Sequence, residues 1–115
     1  MIQMSMFEAN PDVLESGIEV YRLHGMQLYG EHGPSGHADL ATIELQQHID
    51  GRWMWATSVY GRNGGRGYGV MPKWGNFTTD HAAAKIAAIK ELLVHTILVL
   101  HSDEQDQVCR WAQSI

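Results

Sequence analysis

The sequence predicts an α+β fold. It has a single antiparallel sheet of three or four strands, an N-terminal helix and a long C-terminal-half helix packed on one face, and a short terminal helix. Three observations carry this. Residues 41 to 60 alternate apolar and polar side chains on either side of Asp50-Gly51, as a hairpin does. Residues 82 to 100 are rich in alanine, leucine and isoleucine at helical spacing. The 115 residues, 44% apolar and 18% charged, suit one domain, 1 to 115, around one core.

Met1 to Ala9 has no period and reads as a mobile tail or a short edge strand. Asn10-Pro11-Asp12 is a helix start: asparagine caps, proline fits the first helical position, and aspartate favours the positive end of the dipole. Val13, Leu14, Ile18 and Tyr21 then form an apolar stripe, and Gly25 a left-handed stop. Gly17 and the β-favouring Ile18-Glu19-Val20-Tyr21 point instead to a helix ending near Ser16 with a strand behind it. Met26 to Tyr29 reads as a short extended piece and Gly30 to His37 as a loop.

The turn at Asp50-Gly51 sets the faces of the hairpin. A two-residue turn pairs Ile49 with Arg52 and puts Trp53 and Trp55 beside His48, Gln46 and Glu44, exposing both indoles. A three-residue loop, with Gly51 in the left-handed position of a bulge, pairs His48 with Arg52. Ala41, Ile43, Leu45, Trp53, Trp55 and Val59 then share one face, opposite Thr42, Glu44, Gln46, Met54, Ala56 and Ser58. Each tryptophan buries roughly 150–250 Å², so the second register is the expectation and the tryptophans belong to the core.

Gly61 to Gly67 reads as a flexible loop or bulged turn, Tyr68 to Met71 as a third strand ended by Pro72, and Trp74 to Phe77 as the crossing to the long helix. In that helix Thr78 or Thr79 caps and Asp80 lies in the first turn. Ile86, Ile89, Leu93, Ile97 and Leu100 give a stripe expected to face the tryptophans. Val94, Leu98 and Val99 widen the apolar surface, implying cover from the N-terminal helix or from a second subunit in a homodimer. Ser102 is the expected cap of the terminal helix, with Gln105 reaching back, and Val108, Trp111 and Ile115 its apolar side.

Charge is unevenly placed. The net charge is −5, yet residues 51 to 79 carry Arg52, Arg62, Arg66 and Lys73 and no acid, whereas residues 1 to 50 carry eight acids against Arg22 alone. The single cysteine, Cys109, excludes an internal disulfide and a multi-cysteine zinc site, and is expected to be a small buried group. No signal-peptide pattern and no bilayer-length apolar run occurs, so the expected setting is the cytoplasm, away from membranes. The seven histidines lack helical ligand spacing; their strongest convergence would be His24, His32 and His37, and the expectation is no metal and no cofactor. No Gly-x-Ser-x-Gly elbow or phosphate-binding glycine motif frames a catalytic group, so an enzyme is not expected and no catalytic residue is assigned.

The one suggestive stretch is Gly61-Arg62-Asn63-Gly64-Gly65-Arg66-Gly67-Tyr68-Gly69. Arginines spaced by glycines beside a tyrosine can contact phosphates and stack a base; the alternative is a connection whose arginines are merely solvated. With Arg52, Lys73 and Trp74 added, Arg52, Arg62, Arg66, Tyr68, Lys73 and Trp74 form the candidate surface for a protein partner or a nucleic acid.

A helix, three antiparallel strands and a long alanine-rich helix, with Asp50-Gly51-Arg52-Trp53 at the first turn and Phe77-Thr78-Thr79-Asp80-His81-Ala82-Ala83 entering the last helix, resembles the double-stranded-RNA-binding-domain topology over residues 10 to 101. Small phage and plasmid proteins of unassigned function use it too. In the RNA-binding family a lysine-rich cluster at the start of the last helix grips phosphate; the matching Asp80-His81-Ala82-Ala83-Ala84-Lys85 has one lysine and an aspartate. The acidic first half and the basic 52 to 73 segment offer two opposite electrostatic surfaces, so the expectation is a non-enzymatic module that binds a protein. The resemblance alone implies that it is an accessory protein of a mobile element or an anti-CRISPR-like inhibitor of host defence. The alternative is a nucleic-acid binder acting through residues 61 to 74.

Overall fold

The computed structural model describes residues 11–30, 33–62 and 64–115. Its elements are β1 (Asp12–Val13), β2 (Glu19–Gly30), β3 (Gly33–Gln47), β4 (Trp53–Gly61), β5 (Gly64–Gly67), a 3₁₀ turn (Pro72–Trp74), β6 (Phe77–Thr78), α1 (His81–Val99) and α2 (Ser102–Ser114). The strands form one antiparallel sheet in the order β1-β2-β3-β4-β5, with β6 also pairing β4. The fold is thus α+β with two helices after the sheet, and it has more strands than the sequence predicts.

The hairpin has the three-residue register. Gln47 pairs Trp53, Leu45 pairs Trp55 and Ala41 pairs Val59. His48 N–H donates to Arg52 O at 2.7 Å, and Gly51 takes φ 92°, a conformation open to glycine at little cost. The resulting face, with Ile43, Leu45 and Val59 fully buried, packs against Ala84, Ala88 and Leu92 of α1 and Val108 and Trp111 of α2. Trp53 and Trp55 are partly buried against this core. Each large side chain so buried contributes about 1.5–3 kcal/mol. A second, smaller core on the opposite face joins Met54, Ala56 and Val70, with Ile18, Tyr68 and Phe77 packed against it.

The expected N-terminal helix is replaced by strands. Residues 12 to 30 make a tight turn at Leu14–Gly17 between β1 and β2, and β2 pairs the length of β3, Glu19 with Leu45 through Gly30 with Gly33. The β-branched Ile18-Glu19-Val20 stretch and the free edge of β3 outweigh the local start signal at Pro11-Asp12. The expected loop from Gly30 to His37 becomes, from Gly33 on, the first part of β3. Asn10 and the expected tail lie outside the described residues.

The long helix is present and part of its expected stripe reaches the core, Leu100 buried and Ile89 and Leu93 packed against it, but the helix is turned so that its most buried side is another one. Ala84, Ala88, Leu92 and Thr96 are buried, while Ile86 is 55% and Ile97 69% exposed. Ala84 and Ala88 share the core with Leu92, and Trp53, Trp55, Ile89 and Leu93 pack around it. Its cap is Asp80, whose Oδ1 accepts from Ala83 N–H at 2.7 Å, one residue beyond the expected threonines. Likewise α2 is capped at His101, whose N–H donates to Glu104 Oε1 at 3.0 Å, so the residue reaching back is Glu104 and not Gln105. Cys109 is exposed, not buried. No helix among the described residues is long and apolar enough to cross a membrane.

Candidate binding surface

Between β5 and β6 the outer edge of β4 is left without a strand partner, and residues 68 to 76 cover it. Tyr68 N–H donates to Thr57 O at 3.2 Å, and the Asn76 side chain donates Nδ2–H to Trp55 O at 3.1 Å. The expected third strand over Tyr68 to Met71 does not form. The four residues just upstream, Gly64–Gly67, hold the pairing instead, and the chain then leaves the sheet.

This edge meets α1 in an open cleft of about 300 Å³ lined by Tyr68, Trp74, Asn76 and Glu91. Glu91 Oε2 accepts from Thr57 Oγ1–H at 2.5 Å and from Tyr68 Oη–H at 2.6 Å. Tyr68 Oη in turn accepts from Asn76 Nδ2–H at 2.7 Å. Burial, then the hydrogen bond and charge of Glu91, push the Tyr68 phenol well above its ordinary range, so it remains a donor. The Tyr68 and Trp74 rings meet edge to face, 5.5 Å between centroids, and Trp74 Nε1–H is fixed on Gly69 O at 3.0 Å. Lys73 Nζ lies 4.8 Å over the Trp74 ring.

Of the six expected residues, Tyr68, Lys73 and Trp74 are brought together here. Arg52 and Arg62 are not; they stand at opposite ends of β4, about 30 Å apart along the strand. Arg52 pairs with Asp50 at 2.7 Å and lies 3.9 Å over the Phe77 ring. Its hydrogen bonds hold the Asp50 carboxyl far below the ordinary range. Arg62 makes a two-pronged pair with Asp103, both bonds 2.9 Å, which lowers the Asp103 carboxyl and raises the guanidinium from their ordinary values. Folding thus neutralises much of the basic segment with acids, one of them from α2. Arg66 lies exposed on β5, opposite Val59.

Sequence reasoning missed Asn76 and Glu91. Asn76 comes from the crossing to the helix, and Glu91 resembles any solvated helix carboxylate until α1 is rotated to aim it at Thr57. Among the described residues no cluster could hold a metal ion, and His24, exposed, pairs with Asp39 at 2.9 Å. His32, a member of the strongest expected triad, lies outside the described residues.

Beside the cleft, α1 turns an apolar strip outward. Residues advance by about 100° per position, which aligns Ile86, Lys90, Val94, Ile97 and Leu98; the apolar four are 55%, 57%, 69% and 61% exposed in that order. Leu98 follows Glu91 by two turns, which puts it on the same side of the helix about 10 Å further along. No family model matches the chain, and comparison with curated proteins and with solved structures finds no match.

Proposed function

We propose that the protein is a non-enzymatic binding module whose partner is another protein, engaged through the outer strip of α1 and the neighbouring aromatic cleft. The observation that carries the reading is the strip itself: four large aliphatic side chains turned to solvent on a helix whose opposite side is well packed. Val94, Ile97 and Leu98 neighbour one another there, with Ile86 beyond the exposed Lys90, and exposed apolar groups clustered beside polar ones mark an interaction surface. Arginine pairing supports a protein over a nucleic acid, because Arg52 and Arg62 already have carboxylate partners. The net charge of −5 favours a partner with a basic rim.

The test is affinity capture from a bacterial lysate, with and without nuclease and at low and moderate salt, using the parent chain and the double variant Ile97→Asp, Leu98→Asp. A stoichiometric protein held by the parent after nuclease and released by the variant is the expected result. Equal recovery by both chains would remove the strip from the interface. Sedimentation of the purified chain identifies the other occupant, since a dimer broken by the same variant would make the partner a second copy.

A further inference from the structure

We propose that the cleft between Tyr68, Trp74 and Glu91 is a subsite for a positively charged side chain, an arginine guanidinium fitting best, presented by the protein that docks on α1. This rests on the protein-binding reading and adds the chemistry of the contact. The cleft volume of about 300 Å³ lies at the small end for ligand sites and suits one side-chain head better than a cofactor. Its walls are two aromatic rings held edge to face, and its polar end is a carboxylate. The carboxylate is half used: Thr57 and Tyr68 both donate to Oε2, and Oε1 has no hydrogen-bond partner among the described residues. The two hydroxyls fix the orientation of Glu91 without neutralising it.

The indole already attracts a cation, for Lys73 stands over the Trp74 ring. Lys73 has no carboxylate partner among the described residues. A guest guanidinium can stack on the indole and donate to Glu91 Oε1 at once, so it replaces Lys73. A phosphate or a nucleotide would meet the Glu91 carboxylate instead.

The experiment is a nuclear magnetic resonance titration of the full ¹⁵N-labelled chain, following the indole N–H of Trp74, assigned through Trp74→Phe. The probes are N-acetyl-arginine amide, its neutral isostere N-acetyl-citrulline amide, and a nucleoside monophosphate. The expected result is a saturable shift with the arginine probe, weakened about tenfold by citrulline or by Glu91→Gln, whose amide oxygen still accepts from Thr57 and Tyr68. Lys73→Met is expected to tighten the arginine probe by removing a competing cation. Equal responses to arginine and citrulline, an unchanged response in Glu91→Gln, or no saturable shift would each overturn the proposal. A response to the nucleotide alone would transfer the cleft to the nucleic-acid reading. These outcomes are separate from those of the capture experiment, because a strip variant that keeps its partner leaves the Trp74 titration untouched.

Discussion

Glu104 shows how one side chain can join elements far apart in sequence. It is 7% exposed, and its two oxygens serve two backbone donors: Oε1 accepts from His101 at the start of α2, and Oε2 from Arg62 at the β4–β5 turn, at 3.0 and 3.1 Å. Gly61 makes room for it, since a Cβ there would stand 2.6 Å from Glu104 Oε1 and from Leu100 Cδ2. Composition alone reads that glycine as flexibility, because a glycine selected for close approach and one selected for freedom look the same in sequence. Glu104→Ala leaves two N–H groups without their acceptor and is expected to cost about 2–4 kcal/mol, at about 1–2 per group. Urea unfolding followed by tryptophan fluorescence measures it. A loss within about 0.5 kcal/mol, the level of an ordinary surface change, would mean that water replaces the carboxylate at both donors.

At the scale of elements, the hairpin was legible and the helix faces were not. The β3–β4 register follows from one glycine and from the volume of two tryptophans, both local facts. The orientation of α1 depends on what lies beneath it: the helix seats on Ala84, Ala88 and Leu92, and of the expected stripe Ile89, Leu93 and Leu100 still reach the core while Ile86 and Ile97 stay outside. The N-terminal segment was misread because its start signal is local, whereas the partners of Glu19 to Tyr21 on β3 lie more than twenty residues away. Tyr68, Lys73 and Trp74 were legible as a group because they are close in the chain. Glu91 joins them only through the helix rotation. The two helix orientations make opposite predictions. Leu92→Ala is expected to cost about 2–5 kcal/mol, as a cavity in the core does, and Ile97→Ala less than about 0.5 kcal/mol. Urea midpoints of the two variants decide between them; a larger loss for Ile97 would restore the isoleucine stripe as the buried side.

Over the whole molecule, charge decides which class of partner the surface can hold. The chain reads as an acidic protein with one basic segment, and folding brings Asp50 and Asp103 onto two of the segment's four cations. A nucleic-acid binder gains affinity by exchanging condensed counterions for free lysines and arginines, losing it with salt at a slope near 0.7 per phosphate neutralised on a single strand, so each paired arginine lowers that slope by about 0.7. Arg66 and Lys73 remain to meet phosphate on a body of net charge −5. Fluorescence anisotropy of a labelled mixed-sequence single-stranded RNA is therefore expected to show no saturable binding at physiological salt. Any binding at low salt should have a slope of about two or less on logarithmic axes. A slope near three, about 0.7 for each of the segment's four cations, would mean that the Arg62–Asp103 and Arg52–Asp50 pairs open to phosphate. Asp103→Asn separates the cases: it should leave a weak, shallow response nearly unchanged on the protein-binding reading, and steepen it by freeing Arg62 if the glycine-rich hairpin is the active surface.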